Sequence, residues 1–546
     1  MKAKPKHYSH LKRLLASAIA VCLMAGIPGL ARAASPVGDV VGKVTVGYQG
    51  WFSATGDASP VNAWGHMNLD LWPDMREYTN TYSTSSLGWP ALGSGAAATM
   101  FSSYDQSTVT THFAWMAQNG IDTAALQRFD NEIQPNTTLK AQRDGVAQRV
   151  MNAAQATGRK FYIMYDMSGG TSYVESDWTN TIVNTLRLTS SSAYAKQNGK
   201  PVVCLWGMGY TTIGLDSSQA NAMINWFKGQ GCYVIAGVPG SWRSLSGQTR
   251  SDFGSVWPNC DMIMPWQVGG GPDPSWMAAD FSYCNSNNID YQSDIYPGFS
   301  FHNSNPSSPP NQWPRNHGDF MWSQFALVRQ TGVPSVYISM FDEMNEGTAI
   351  LKCAEDNSMK PANQWFLTLD ADGTHVSSDF YLRVTNNGGK MVKGQTAYQA
   401  NNPTPFVSAY RITGRQSGRA LDVKGMGTVN GSGVDIWDFN GGTNQQWSLR
   451  PYGGGVYGIV GLQSGRALDV VGQATANGTA IDIWDWNAGG NQLWYIQPVD
   501  SGYFKILSVQ SGRALEVKAQ GTAAGSAVDI WDYNGGANQQ WSFSGQ

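Results

Sequence analysis

The sequence predicts an α/β barrel followed by a smaller C-terminal unit made of a repeat, and two observations carry that expectation. Eight apolar, β-rich runs alternate with helical stretches through most of the chain. Continuous apolar strands separated by helices mark a parallel sheet buried on both faces, and eight such units point to a (β/α)8, TIM-like barrel. Near the C-terminus one motif then recurs as QSGRALDV…VDIWDFNGGTNQQW, QSGRALDV…IDIWDWNAGGNQLW and QSGRALEV…VDIWDYNGGANQQW. The copies start at Gln416, Gln463 and Gln510, a period of 47 residues. A fixed period implies units that bury their apolar faces only against one another. An open doubly wound sheet is the alternative for the first part, although no Gly-x-Gly-x-x-Gly follows any run.

Taken in order, residues 1–33 read as a signal peptide. Lys2, Lys4, Lys6, Lys12 and Arg13 precede an apolar stretch, and Ala31-Arg32-Ala33 offers a small-x-small cleavage site. The mature chain is therefore expected to be secreted, with no membrane anchor, because no later segment is long and apolar enough to cross a bilayer. The eight runs are 44–52, 123–129, 160–167, 201–209, 233–242, 262–270, 294–303 and 335–341, with amphipathic helices expected at 139–157, 217–229 and 313–331. Periodicity fades and Asn and Pro gather beyond residue 390, which sets a barrel at 36–393, a linker at 394–405 and the repeat unit at 406–546.

A chain of 546 residues exceeds one ordinary core. Its net charge of −3, without a basic run after the first fifteen residues, argues against a nucleic-acid partner. Aromatic residues reach 12%, with 22 Trp, against 14% charged residues. Indoles stack on the apolar faces of sugar rings, so the balance suits a carbohydrate partner. Cys204, Cys232, Cys260, Cys284 and Cys353 remain after the signal, an odd number with no metal-binding spacing. No cofactor and no metal are implied, and a monomer is expected.

A barrel of this kind holds its active site at the C-terminal ends of its strands. Substrate-binding candidates there are Tyr48, Trp51, Arg128, Asp166, Trp206, Trp242, Trp266, His302, Asp342 and Asn345. Arg128 has a second reading as the partner of a neighbouring acid such as Asp130 or Asp166, and Asp166 as a strand-end cap. Asp70 and Asp74, in the long loop after the first run, read as helix caps. The sharpest segment is Phe-Asp-Glu-Met-Asn-Glu-Gly-Thr at 341–348, where Glu343 and Glu346 stand three apart. In a helical turn they would share a face, about 5–6 Å apart at Cβ. Two carboxyls that close suit retaining glycoside hydrolysis, and crowding them raises one pKa so that one stays protonated. A solvated helix start is the other reading of such a pair.

That segment resembles the Glu-Trp-His-Glu-Gly-Thr segment of the endo-α-mannosidases of glycoside hydrolase family 99, which are grouped with the family 71 α-1,3-glucanases. Gly-Tyr-Gln-Gly-Trp-Phe at 47–52 and Leu-Asp-Leu-Trp-Pro-Asp-Met at 69–75 are similar to a bacterial branch of that group. The resemblance implies Glu346 as general acid/base and Glu343 as the group that assists attack by the substrate's own 2-hydroxyl. The chain departs from the pattern with Met344-Asn345 in place of Trp-His.

The repeat, with Gln445/Trp447, Gln492/Trp494 and Gln539/Trp541, resembles the ricin B-type lectins, which are all-β trefoils. This implies core roles for Trp447, Trp494 and Trp541, and sugar platforms at Trp437, Trp484 and Trp531. It also implies hydroxyl-binding residues at Asp422/Asn444, Asp469/Asn491 and Glu516/Asn538. Where such repeats carry a Cys pair, this chain has Ala420/Phe439, Ala467/Trp486 and Ala514/Tyr533, expected to fill the space by packing. The expected function is an endo-acting, retaining hydrolase of an α-linked polysaccharide, anchored by the trefoil. The alternative is a glycan-binding protein whose barrel no longer cuts.

Overall fold

The computed structural model describes residues 35–270, 274–453, 456–500 and 502–545. The expected signal peptide lies outside the described residues. Nine strands form one parallel sheet: β1 Val44–Tyr48, β2 Thr123–Phe129, β3 Lys160–Asp166, β4 Lys200–Trp206, β5 Tyr233–Pro239, β6 Met262–Trp266, β7 Asp290–Tyr291, β8 Ser293–Ile295 and β9 Val336–Ile338. Its order is β7-β6-β5-β4-β3-β2-β1-β9-β8.

The two ends of that sheet are consecutive in the chain, separated only by Gln292. β7 pairs with β6 and β8 with β9. The Gln292 N–H donates to the Ile263 carbonyl at 3.0 Å, and its amide nitrogen reaches Thr45 Oγ1 and Val336 O, both at 3.1 Å. The sheet thus nearly closes on itself with eight strand positions, as a barrel does. Most strand residues are buried, because helices cover the outside and side chains fill the inside.

Helices Gln106–Gln118, Thr138–Thr157, Ser217–Gly229, Pro274–Ser286, Asp319–Thr331 and Phe380–Val392 surround the sheet. The second starts where Thr137 accepts the Lys140 N–H and stops at Gly158, whose φ of 67° suits a residue without Cβ. The third opens on a capping box made by Asp216 and Gln219. Two expected boundaries move. The seventh run lies mostly beyond its strand, since pairing ends at Ile295 and 299–303 is a loop. The helix expected from 313 begins only at Asp319, after His317 takes φ 39°.

The segment expected as a linker is tied down. Trp322 donates its indole N–H to the Gln399 carbonyl at 3.1 Å, Asn387 bonds Thr404 at 3.0 Å, and Arg383 bonds the Pro405 carbonyl at 2.6 Å. Two separate cores result, one running from Val40 to Val392 and one from Ile412 to Trp541.

The second core lies inside twelve antiparallel strands, four per repeat. The first, Tyr410–Gly414, pairs with the last, Trp541–Gly545. The strands Ser432–Trp437, Thr479–Trp484 and Ser526–Trp531 bridge one another around the pseudo-threefold axis of a β-trefoil. The Gln-x-Trp pattern has a direct cause here. Trp447, Trp494 and Trp541 are fully buried and donate to the carbonyls of Leu421, Leu468 and Leu515. Gln445 closes its own loop, donating to the Asp438 carbonyl and accepting the Asn440 N–H, and Gln492 and Gln539 repeat this. The aromatics expected to replace a disulfide each lie under a cation: Arg411 over Phe439, Arg450 over Trp486 and Lys505 over Tyr533, at 4.7, 5.1 and 4.9 Å. None of the five barrel cysteines is paired.

Candidate functional site

Glu343 and Glu346 follow β9 in a tight turn at the C-terminal rim of the sheet, closed by the Gly347 N–H on the Met344 carbonyl at 3.2 Å. Glu343 is 3% exposed. Its Oε1 accepts the N–H groups of Asn345 and Glu346 at 2.9 and 3.3 Å, and its Oε2 accepts the Gln49 amide at 2.9 Å. Glu346 remains partly open to solvent and receives no side-chain hydrogen bond among the described residues. Burial pushes both carboxyls up, Glu346 to about 7, and the charges of Glu346 and Asp342 push Glu343 further. Near neutral pH the pair therefore holds one proton between two unlike environments.

Other rim side chains gather around this pair. Asp166, at the end of β3, accepts Gln127 at 2.6 Å and the Ser168 N–H at 2.8 Å, so it also acts as the strand-end cap. Trp206 and Trp266, both half-buried, meet edge to face at 5.5 Å, with Tyr210 beside Trp206 at 5.3 Å. Trp51 stacks on His66 at 4.0 Å and lies near-parallel to Phe129. Burial and the nearby Arg143 lower His66 to about 4, which keeps it neutral. Several polar atoms of this rim have no hydrogen-bond partner: Gln49 Oε1, Trp51 Nε1, Gln127 Oε1, Trp206 Nε1, Gln267 Nε2 and Asn345 Oδ1. These buried donors and acceptors are the hydrogen-bonding groups that the rim leaves unpaired.

Several expected substrate contacts are placed elsewhere. Strand alternation turns Gln127 one way and Arg128 the other. Arg128 is 1% exposed and grips Asp177 through two bonds and Asp144 through a third. Its acid partners are thus Asp177 and Asp144, not Asp130 or Asp166. Tyr48 is fully buried, with its hydroxyl on His112 at 2.9 Å. Trp242 is fully buried under the helix layer and donates to Asp280 at 2.9 Å. Both oxygens of Asp342 are occupied by the backbone N–H groups of Gln49 and Gly50, which fixes the loop after β1.

Asn345 uses its amide nitrogen to hold the carbonyls of His66 and Asn68, both at 3.2 Å. His302 is partly exposed, and its Nδ1–H donates to the Ser308 carbonyl at 2.8 Å. Asp70, expected as a helix cap, instead braces the rim by accepting Ser300 Oγ and the N–H groups of His302 and Asn303, each at 2.6 Å. Gln49, Gln127, Gln267 and His66 join the site without having stood out in the sequence. A polar residue at the end of an apolar strand is the one available signal for the glutamines, and His66 lies in a loop without periodicity. Among the described residues, no group of three His, Cys, Asp or Glu side chains is placed to hold a metal ion, and no helix is long and apolar enough to cross a membrane.

In the trefoil, Trp437, Trp484 and Trp531 are 46, 44 and 42% exposed, against none for the Gln-x-Trp tryptophans. Beside them Asn444 bonds Asp422 and Asn491 bonds Asp469, both at 2.7 Å. Glu516 differs as its longer arm allows: one oxygen accepts both Asn538 at 3.2 Å and Gln539 at 2.8 Å.

No curated protein matches the sequence. Among solved structures, the designed threefold-symmetric protein ThreeFoil shares 38% identity with this chain, over 25% of this chain and 96% of its own, with a TM-score of 0.25. The GH99 endo-alpha-mannosidase of Bacteroides thetaiotaomicron is similar over 65% of this chain and 98% of its own, at 14% identity and a TM-score of 0.48. The Rhizoctonia solani agglutinin covers 26% of this chain and 96% of its own, at 21% identity and a TM-score of 0.24. Residues 401–484 and 490–546 match the family described as ricin-type beta-trefoil lectin domain-like. With its three exposed tryptophans and their Asp/Glu–Asn partners, the C-terminal region of this chain belongs to the ricin-type β-trefoil lectins.

Proposed function

We propose that this chain is an exported glycoside hydrolase whose barrel, residues 36–393, cuts an α-linked polysaccharide internally while the trefoil keeps it on the polymer. The observation that carries the reading is the carboxyl pair at the rim, Glu343 buried and Glu346 partly open to solvent, beside unpartnered polar atoms and half-buried indoles. Glu346, partly open to solvent, is the carboxyl placed to pass a proton to a leaving oxygen, and Glu343, held by three donors, is placed to act on a neighbouring hydroxyl.

Glu346 then donates that proton to the departing glycosidic oxygen as the bond from the anomeric carbon breaks. Glu343 takes the proton of the substrate's 2-hydroxyl, whose oxygen, trans to the departing group as in an α-mannoside, attacks the anomeric carbon from the opposite face and closes an anhydro ring. In the second step Glu346 removes a proton from water, the water oxygen attacks the anomeric carbon, and Glu343 returns its proton to the 2-oxygen. Two inversions give net retention. Trp206 and Trp266 would wall the sugar, and Trp51, Asp166 and His302 would line its path.

The test is digestion of α-mannan, α-1,3-glucan and a panel of other polysaccharides, with NMR of the first-formed anomer. Cleavage with retention, abolished in Glu346→Gln and Glu343→Gln, is the expected result. If no polymer is cut, or if Glu346→Gln turns over like the parent, the catalytic reading fails and the barrel is a glycan-binding unit.

A further inference from the structure

Every repeat of the trefoil brings two buried carboxyls face to face on the side of its strands turned away from the core. The strand register sets Asp422 opposite Asp435, Asp469 opposite Asp482 and Glu516 opposite Asp529. Like charges directly opposite weaken a strand pair, yet the arrangement occurs three times. The second acid of each pair is 3, 6 or 1% exposed, and no donor reaches its Oδ1 in any repeat. It stands two residues before the exposed tryptophan, so strand alternation puts carboxyl and indole on one face. The first acid is already engaged by its asparagine. What remains on the same face as each indole is a buried carboxyl with an oxygen that no donor reaches.

The charges around these acids are few. Lys424 acts on Asp435 beside Asp422, and Lys518 Nζ lies 4.0 Å from Asp529 Oδ2 beside Glu516. In the middle repeat Val471 takes the lysine's place, and the facing charge on Asp482 is that of Asp469.

We propose that Asp435, Asp482 and Asp529 are sugar-binding residues that act with Asp422, Asp469 and Glu516 to accept two neighbouring hydroxyls of one sugar, and that a proton taken up between the paired carboxyls releases it. This rests on the reading of the trefoil as a sugar-binding domain. With both carboxyls ionised, each accepts one O–H of a ring lying on the indole, and those bonds favour the charged form. Burial, then the facing carboxylate, lifts Asp435, Asp482 and Asp529 to about 6. Below that pH a proton from solvent sits on the second acid and is donated to the first, so one acceptor is lost and the other is occupied. Where proton and sugar compete in this way, the dissociation constant of each site rises about tenfold between pH 7.5 and pH 5.

The experiment measures binding of the full chain to immobilised lactose, N-acetylgalactosamine and α-mannan at both pH values. The parent is compared with the triple variant Asp435→Asn, Asp482→Asn and Asp529→Asn, with circular dichroism to check folding. We expect parent binding to weaken about tenfold per site at pH 5, and the variant to bind more weakly at pH 7.5 with less than about twofold change across the range. If the parent binds equally at both pH values, or the folded variant keeps the parent's affinity and pH response, the proposal is overturned. If no probe is held at either pH, the sugar-binding reading itself fails and takes the proposal with it.

Discussion

Replacing Glu346 by Gln removes one of the two carboxyls crowded after β9 while keeping its shape, and the expected effect on stability has a definite sign. Glu346 is held at about 7 against an ordinary value of 4.5. Each tenfold change in proton affinity is worth about 1.4 kcal/mol, so the ionised side chain costs the folded state about 3 kcal/mol, or about 2 once solvent at its open side is counted. The folded protein holds this proton more tightly than the unfolded chain does. The favourable contribution is therefore complete below about pH 4.5 and is lost as the pH rises to about 7. Glu346→Gln should leave the urea midpoint of the barrel unchanged at pH 4.5 and raise it at pH 8 by the equivalent of about 2–3 kcal/mol. Tryptophan fluorescence reports the transition, with the trefoil followed separately because the two cores can unfold independently. An equal shift at both pH values, or a loss of stability at pH 8, would refute the coupling of these carboxyls to burial.

Four further outcomes follow from the contacts. Arg128→Met leaves the buried Asp177 with only Tyr165 and Lys140 as partners and should cost about 3 kcal/mol in urea unfolding, with KM within twofold because the side chain lies on the opposite face of its strand from Gln127. Gln49→Leu removes a donor from Glu343 and should lower kcat about tenfold or more with little change in KM, read from initial rates. Trp437→Ala should weaken glycan retention without moving the melting curve, whereas Trp447→Ala, in the core, should destabilise the trefoil by about 3–5 kcal/mol. Burial lifts the thiols of Cys232, Cys260 and Cys353 to about 12, so a thiol reagent should label them only after denaturant is added.

Much of the molecule was legible from periodicity because burial acts on it directly. A strand packed on both faces must be apolar throughout, and each of the first six apolar runs contains one strand of the sheet, with its start near the expected place. Ends were read too long because rim loops such as 296–303 also carry aromatics that pack. The pair Glu343/Glu346 was legible in the sequence through its spacing together with its place after the last apolar run. Arg128 and Trp242 were not, because a charged or aromatic residue at a strand end looks the same whether it turns inward or outward. Register and alternation send Arg128 to Asp177, and Trp242 sits in a short helix that tucks it against Asp280.

Composition and repetition by themselves determined the two-part plan, the threefold unit with its Gln-x-Trp cores and the carboxyl pair after the last strand. These depend on neighbours within a few residues, or on a period the chain repeats. Tertiary structure alone decided which polar groups have partners. It also decided that Asp342 and the amide nitrogen of Asn345 brace loops through the backbone of neighbouring segments, and that Asp422 meets Asp435 across a strand pair. Those facts depend on groups distant in sequence and close in space, where burial and facing charge set what each carboxyl can do.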